Sequence, residues 1–343
     1  MRNPLRGWRR WLLVLVLTGV LGAAWGAWHL HQFATRPLGA AAAPLLQVPQ
    51  GSPFRAVVQR MTDKGWVDRP LEMRLLGRLF NVAPRIHAGE YRLAPDMTPL
   101  DVLEALISGD VVLHSVSFPE GRTVRQFLER LRAKDPLDAA DLPEGPEDSE
   151  LVGMLNLDER GYESAEGWLF PETYRFARGT SAAKILRRSH QRMRRILEEE
   201  WANREEGLPY EEPYEALVLA SIVEKETAVP EERPEIAGVF INRLRKGMRL
   251  QTDPTVIYGL GEEFDGNLRS SHLRERTPYN TYRIDGLPPT PIANPGRSAI
   301  RAVCQPEETD ALYFVSRGDG THVFSETLQE HNRAVRRYQL GGR

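Results

Sequence analysis

Residues 11–28 form a run of 18 without a charged side chain, and Arg2, Arg6, Arg9 and Arg10 stand before it. Water solvates such a segment poorly, and a helix of that length, rising ~1.5 Å per residue, reaches across most of a ~30 Å hydrocarbon core. Trp8, Trp11, Trp25 and Trp28 bracket the run as interfacial anchors do. A cleaved signal peptide is the competing reading, because Gly22-Ala-Ala24 supplies small residues. The run is longer than most signal h-regions and reaches Trp28 without a polar break, which favours an uncleaved anchor. By the positive-inside rule the arginines then stay in the cytoplasm and everything after residue 30 is exported. The expected order is a cytoplasmic N-terminus over 1–10, a transmembrane anchor over 11–30 and a linker over 31–45. The linker follows from Gly39 and the four alanines after it.

The 343 residues leave room for two or three domains. Setting the four arginines aside from the 45 basic residues leaves 41 against 47 acidic ones, a net charge of −6. A mildly acidic body without a basic, aromatic-interleaved stripe argues against nucleic acid as a partner. The one cysteine, Cys304, excludes an intramolecular disulfide framework and reads as a small buried side chain. The eight histidines are scattered, with no ligand-like spacing, so no metal is expected.

Structure is expected from residue 46. Helices with apolar stripes begin at Pro53, Pro70 and Pro99, a short strand is expected over 89–93, and an alternating strand over 111–118. Thr123 opens another helix, and the acidic stretch 138–150 reads as a surface loop. Residues 163–174 are aromatic and lack helical periodicity. They form either a packed loop or, through Trp168, Phe170 and Tyr174, a platform for sugar faces. Residues 181–203 are expected as a long helix whose arginines form a solvated face with internal ion pairs.

Residues 213–227, Pro213-Tyr-Glu-Ala-Leu-Val-Leu-Ala-Ser-Ile-Val-Glu-Lys-Glu-Thr227, read as a buried helix stopped before Pro230. At about 3.6 residues per turn Glu226 sits above Leu219, Ile222 and Val223, and Glu224 above Leu217, Ala220 and Ser221. Glu226 extends the more apolar stripe. A carboxyl there loses hydration and its pKa rises, as a general acid near neutrality requires. The alternative is that both glutamates are solvated residues closing an ordinary core helix.

After a helix over 231–246, polar residues held by turns dominate. In the run 250–259, Asp253 before Pro254 reads as an N-cap, which leaves Gln251 and Thr252 as ligand-contact candidates. Residues 278–282 form the second run. The third, 286–296, carries four prolines in eleven residues and is stiff enough to present Asn294. Residues 311–315 and 321–324 flank Gly318-Asp-Gly320 as a hairpin, with His322 on the return strand.

Taken together, Ala220-Ser-Ile-Val-Glu-Lys-Glu-Thr227, 250–259, 279–282, 286–296 and 322–332 resemble the membrane-anchored endolytic murein transglycosylases of the MltG (YceG-like) family. The resemblance covers nearly everything after residue 46. It implies that Glu226, the second acid of Glu-Lys-Glu, is the catalytic residue. It further implies a LysM-like glycan-binding subdomain over 46–118 and a catalytic domain over 119–343 with its motif core at 213–332. The implied reaction cleaves the MurNAc–GlcNAc bond within nascent peptidoglycan strands, without a cofactor, and leaves 1,6-anhydroMurNAc ends that terminate elongation. Gln251, Thr252, Tyr279, Asn280, Tyr282, Asn294 and His322 are carried over as glycan-holding residues. Glycan polymerases and penicillin-binding proteins are the implied partners, at the inner membrane with the catalytic domain in the periplasm.

Two other readings stay open. In a hydrolytic muramidase water replaces the sugar's own C6 hydroxyl, and Asp253 and Glu224 are the nearby candidates for the second carboxylate. In a non-catalytic peptidoglycan-binding scaffold only the LysM-like unit acts. The expected fold is α+β: a single N-terminal transmembrane helix, a LysM-like subdomain and a mixed α/β catalytic domain.

Overall fold

The uncharged run folds into one helix, α1 (Leu5–Ala34), of which Trp11–Ala34 is long and apolar enough to cross a membrane. In this computed structural model the described residues are 5–38, 45–140 and 142–341. The chain divides into two units, Met1–His114 with Arg175–Thr180 and Ser115–Tyr174 with Ser181–Arg343. Helices and short strands are mixed throughout, as the α+β class requires.

In the first unit β1 (Leu45–Val48), α2 (Phe54–Asp63), α3 (Pro70–Leu79) and β2 (Gly89–Arg92) follow in βααβ order. β1 and β2 are antiparallel, with Leu46 opposite Tyr91. Next comes α4 (Pro99–Ser108), which Thr98 caps reciprocally with Asp101. Val57, Val58, Met61, Met73, Leu103 and Leu106 fill the core. Buried Glu90 accepts from Arg178 Nε at 2.6 Å and pairs with His114 Nε2 at 2.7 Å, which ties the returning segment 175–180 into this unit.

The expected linker over 31–45 is different. It is helical to Ala34, Phe33 and Ala34 lie in the core, and the Leu38 N–H donates to Met97 O at 2.9 Å. Burying Phe33 removes apolar surface from water that a free linker would expose. The glycine and alanines at 39–44 lie outside the described residues.

The chain leaves the first unit within β3 (Leu113–Ser117), which pairs with β4. The second unit continues with α5 (Val124–Arg132) and α6 (Ser149–Met154), β4 (Thr173–Ala177) crosses back to the first unit at Arg175, and α7 (Ala182–Ala202) resumes the second. Then follow α8 (Pro213–Glu226), α9 (Arg233–Arg245), α10 (Asp253–Leu260), α11 (Ser270–Arg274) and α12 (Arg297–Cys304). Last come the hairpin β5 (Tyr313–Ser316) and β6 (His322–Ser325), and α13 (Leu328–Tyr338). α8 is central, packed by α7, α9, α10 and α12. On α7, Arg194–Glu198 and Arg195–Glu199 form the expected i,i+4 pairs. Cys304 is buried, and burial pushes its thiol up to about 12, so it is an inert core side chain.

Residues 163–174 resolve in favour of packing. Trp168, Phe170 and Tyr174 are buried, and Trp168 stacks on Tyr214 at 5.8 Å between ring centroids, so they offer no exposed platform for a sugar. Gly167 lets this loop meet the proline-rich one: its φ is 81°, and a Cβ there would stand 2.5 Å from Pro291. The Gly167→Ala variant is therefore expected to lose about 2–4 kcal/mol of stability through strain and overlap together. Denaturant unfolding of the full chain in detergent checks this; a loss below about 0.5 kcal/mol contradicts the close approach.

Candidate active site

α8 has no polar face in its middle: all eight residues of 216–223 are buried. The apolar stripe therefore does not by itself separate the two glutamates of its last turn, since Glu224 also turns inward. Their partners separate them. Glu224, 5% exposed, accepts from Arg233 Nη2 at 2.8 Å and from the Gly296 N–H, at the start of α12, at 3.0 Å. Both of its oxygens are thus committed to holding α8, α9 and α12 together. Burial nevertheless pushes its pKa upward, against the pull of those donors.

Glu226, half-buried, lacks such a clamp. Its Oε1 accepts a hydrogen bond from the Thr252 hydroxyl. Burial pushes its carboxyl up to about 7; Thr252 favours the charged form, Asp253 opposes it, and His322 and Arg243 favour it weakly. A carboxyl with this balance is protonated and ionised in comparable amounts near neutrality, which suits a group that must give and then take a proton.

Thr252 is available because the helix start is shifted by one residue from the expectation. The N-cap is Thr252, with Asp253 already helical, and the Thr252 side chain makes no capping bond. Asp253 instead accepts from the Tyr282 hydroxyl at 2.7 Å. Gln251 sits at φ 53°, a conformation that non-glycine residues rarely adopt, and its N–H donates to Thr281 O at 3.2 Å. The turn is held from below by buried Arg243, whose Nη1 donates to Leu250 O at 2.8 Å, to Arg249 O at 3.1 Å and to Gln251 Oε1 at 3.3 Å. Its Nε donates to Leu312 O at 2.7 Å, and its guanidinium lies over Tyr313. His322 pairs through Nδ1 with Glu232 at 2.7 Å, and its N–H donates to the other Glu232 oxygen at 2.8 Å. Burial acts to raise the Glu232 pKa, but these bonds hold it below the usual range.

The remaining expected glycan-holding residues divide. Tyr279 lines a cleft of about 810 Å³ with Glu166, Lys225, Arg122, Tyr258 and Ile292, and its hydroxyl lies 2.8 Å from Thr290 Oγ1. Asn280 and Asn294 are fully buried and have no free amide to offer. Asn280 donates to His272 O and Glu275 O and accepts from the Tyr282 N–H. Asn294 donates to Arg122 O and Glu166 Oε1 and accepts from the Leu169 N–H. Both are loop staples: Asn294 satisfies the polar groups of the stiff loop docked on α8, and Asn280 closes the turn between His272 and Tyr282. The Ile292 N–H makes that docking explicit, donating to Ser221 Oγ at 2.9 Å. Glu226 itself is not among the residues lining the cleft; Lys225 beside it is.

Sequence reasoning missed Glu166 and Arg243. Glu166 is 1% exposed and accepts from the Val124 N–H at 2.9 Å, Asn294 Nδ2 at 3.2 Å and the Tyr258 hydroxyl at 3.3 Å. Burial pushes it up to about 7, with the Val124 and Tyr258 bonds pulling the other way. A carboxylate directly before Gly167 and Trp168, at the head of the aromatic 166–174 run, was the available signal. For Arg243 the signal was an arginine in register with Ile236, Val239 and Phe240 on the inward face of α9. Among the described residues no three His, Cys, Asp or Glu side chains are grouped so as to hold a metal ion.

A model of the YceG-like family matches residues 46–337. The chain belongs to the YceG-like family. Curated relatives named endolytic murein transglycosylase include one from Bacillus subtilis (strain 168), 40% identical over 174 residues that make up 50% of this chain and 48% of that protein. Another, from Streptococcus pneumoniae (strain D39), is 27% identical over 324 residues, 84% of this chain and 57% of that protein. The chain thus spans about half the length of these curated relatives. A crystal structure of a yceG-like protein from Listeria monocytogenes matches with a TM-score of 0.57 and 32% identity, covering 86% of this chain and 99% of that one.

The two glutamates of α8 should respond oppositely to neutralisation. Glu224→Gln leaves Arg233 without its close buried partner, with only the Glu120 carboxylate at 3.6 Å remaining, and should destabilise the chain by roughly 3 kcal/mol. Glu226 binds its proton more tightly folded than unfolded. Its contribution is therefore fully present below the ordinary value of 4.5 and lost as pH rises through about 7. Glu226→Gln should consequently match wild type at about pH 4 and be the more stable protein at about pH 8. Urea unfolding of both variants across this range checks the assignment, and equal losses in both would contradict it.

Proposed function

We propose that this chain is a membrane-anchored endolytic peptidoglycan lytic transglycosylase in which Glu226 is both acid and base. The observation that carries the reading is the near-neutral Glu226 carboxyl against the Thr252 hydroxyl, while its neighbour Glu224 is locked in an ion pair. The names of its relatives support the same reaction class. Protonated Glu226 donates to the oxygen leaving C1 of N-acetylmuramic acid within the strand. The carboxylate then takes the proton from that sugar's C6 hydroxyl, and O6 closes on C1 as a 1,6-anhydro ring. No water is consumed, and internal attack carries the effective-molarity advantage of a positioned nucleophile. Thr252 strengthens its hydrogen bond as the carboxylate forms. Gln251 precedes Thr252, Tyr282 and His322 act electrostatically on Glu226, and Tyr279 lines the cleft that Lys225 also lines; these four stay the candidates for holding the glycan.

α1 serves in this reading as the single-pass anchor, with the arginines cytoplasmic and the second unit on the periplasmic side of the inner membrane. The βααβ order and the antiparallel β1–β2 pair support a LysM-like glycan-binding unit. Placement beside newly made strands makes glycan polymerases and penicillin-binding proteins its working neighbours and gives strand termination as the outcome.

Hydrolysis is the second reading, favoured by one observation: Glu166, a second carboxyl raised toward neutrality, lines the cleft. Against it, both Glu166 oxygens accept hydrogen bonds from the protein, and Asp253 and Glu224 are engaged by Tyr282 and Arg233. Mass spectrometry of sugar ends released by the full chain decides between them. Anhydro ends are expected; they should vanish in Glu226→Gln and fall about 10- to 100-fold in rate in Thr252→Val, the worth of one hydrogen bond to a charged group. Reducing ends lost in Glu166→Gln would establish the hydrolase, and no cleavage by folded wild type would leave a scaffold.

A further inference from the structure

The outward face of α3 is apolar. Leu71, Leu75 and Leu79 recur at four-residue spacing and are 73%, 46% and 64% exposed, and Phe80 just beyond the helix is 50% exposed. The other face already gives Met73, Leu76 and Gly77 to the core, so folding of the unit does not account for this ridge. Helical geometry places Arg78 along one edge of the ridge and Glu72 along the other; Arg74, on the same side as Arg78, donates to Gln59 Oε1 at 3.3 Å, and Arg69 stands at the N-cap. An amphipathic helix with a leucine ridge and an excess of arginine fits the interface of an anionic bilayer.

α1 supplies the ruler that places this helix. Leu30 packs on the core of the first unit, Phe33 and Ala34 are buried in it, and α1 meets α3 and α4 there. Arg69 Nη1, at the start of α3, lies 3.3 Å from His29 Nε2. The part of α1 that lipid can surround therefore ends at about Trp28. Trp11 to Trp28 measures about 27 Å along the helix, close to a hydrocarbon core of ~30 Å. With that length in lipid, the start of α3 stands at headgroup level beside the anchor.

We propose that α3 is a membrane-docking helix whose Leu71, Leu75 and Leu79 enter the interface of an anionic leaflet while the exposed Arg78 faces the lipid phosphates. The first unit is then clamped on the bilayer surface and not carried above it on a tether. The proposal rests on the reading of α1 as an anchor, and its test separates the two.

Cys304 is buried, so a single introduced cysteine can be labelled selectively in the full chain. Leu75→Cys, Leu79→Cys, Leu17→Cys and the exposed α2 position Arg55→Cys are each given an environment-sensitive fluorophore. The labelled chains are placed in nanodiscs containing phosphatidylglycerol and a spin-labelled quencher lipid. The expected result is blue-shifted emission at positions 75 and 79, quenched about threefold or more above position 55, with weaker quenching in phosphatidylcholine discs. Quenching at position 17 with position 75 no different from 55 leaves the anchor standing and overturns the docking. Lack of quenching at 17 overturns the anchor and the docking with it. A blue shift at 75 that lipid does not quench assigns the ridge to a protein contact, such as a second copy, and also overturns the proposal.

Discussion

A carboxyl group taken out of water is tolerated in two ways: it acquires a cation and hydrogen bonds, or it keeps its proton. The last turn of α8 shows both outcomes two residues apart. Glu224 receives Arg233 and the Gly296 N–H, and Glu226 receives one hydroxyl and stays near its titration point. The difference arises because α8 is enclosed by α7, α9, α10 and α12 over its whole middle, so its terminus opens onto packed protein. What that protein offers at each position decides the chemistry available there.

The surrounding turns are built around this end. Thr252 holds an N-cap position without using its side chain to cap, and that leaves the hydroxyl for Glu226. Arg243 keeps the preceding turn in place by donating to successive carbonyls, with Gln251 held in a left-handed conformation. The proline-rich loop is pinned to α8 through Ser221 and Glu224, and Asn294 and Glu166 tie it to the start of α5 and to the 163–174 loop. Rigid polar staples of this sort fix the position of the Glu226 carboxyl, the tolerance that the proposed proton transfer needs.

Much of this was legible in sequence. Pro213, the apolar run after it and Pro230 delimit α8 closely, and the glycine-flanked hairpin with His322 on its return strand forms as expected. Glu226 was singled out by an apolar stripe, yet the helix is buried on every side and its partners make the distinction. The resemblance implies Asn280 as a ligand contact, and the stiff proline-rich loop implies Asn294; Asn280 instead closes a local turn onto His272 and Glu275, and Asn294 bonds to segments far along the chain, which periodicity cannot reveal. Glu166 and Arg243 were missed for the same reason. The docking of Phe33 was hidden by a charge-free run that reads the same whether lipid or protein covers its end.

The central claim is that burial raises Glu226 to about 7, so that it holds a proton for part of the time near neutrality. Infrared difference spectroscopy of the full chain against Glu226→Gln isolates its carboxylic C=O band, which can be followed as pH is raised. The account predicts that this band disappears with a midpoint at about 7. A midpoint at the ordinary carboxylate value of 4.5 would contradict it, because the group would then hold no proton to donate under neutral conditions.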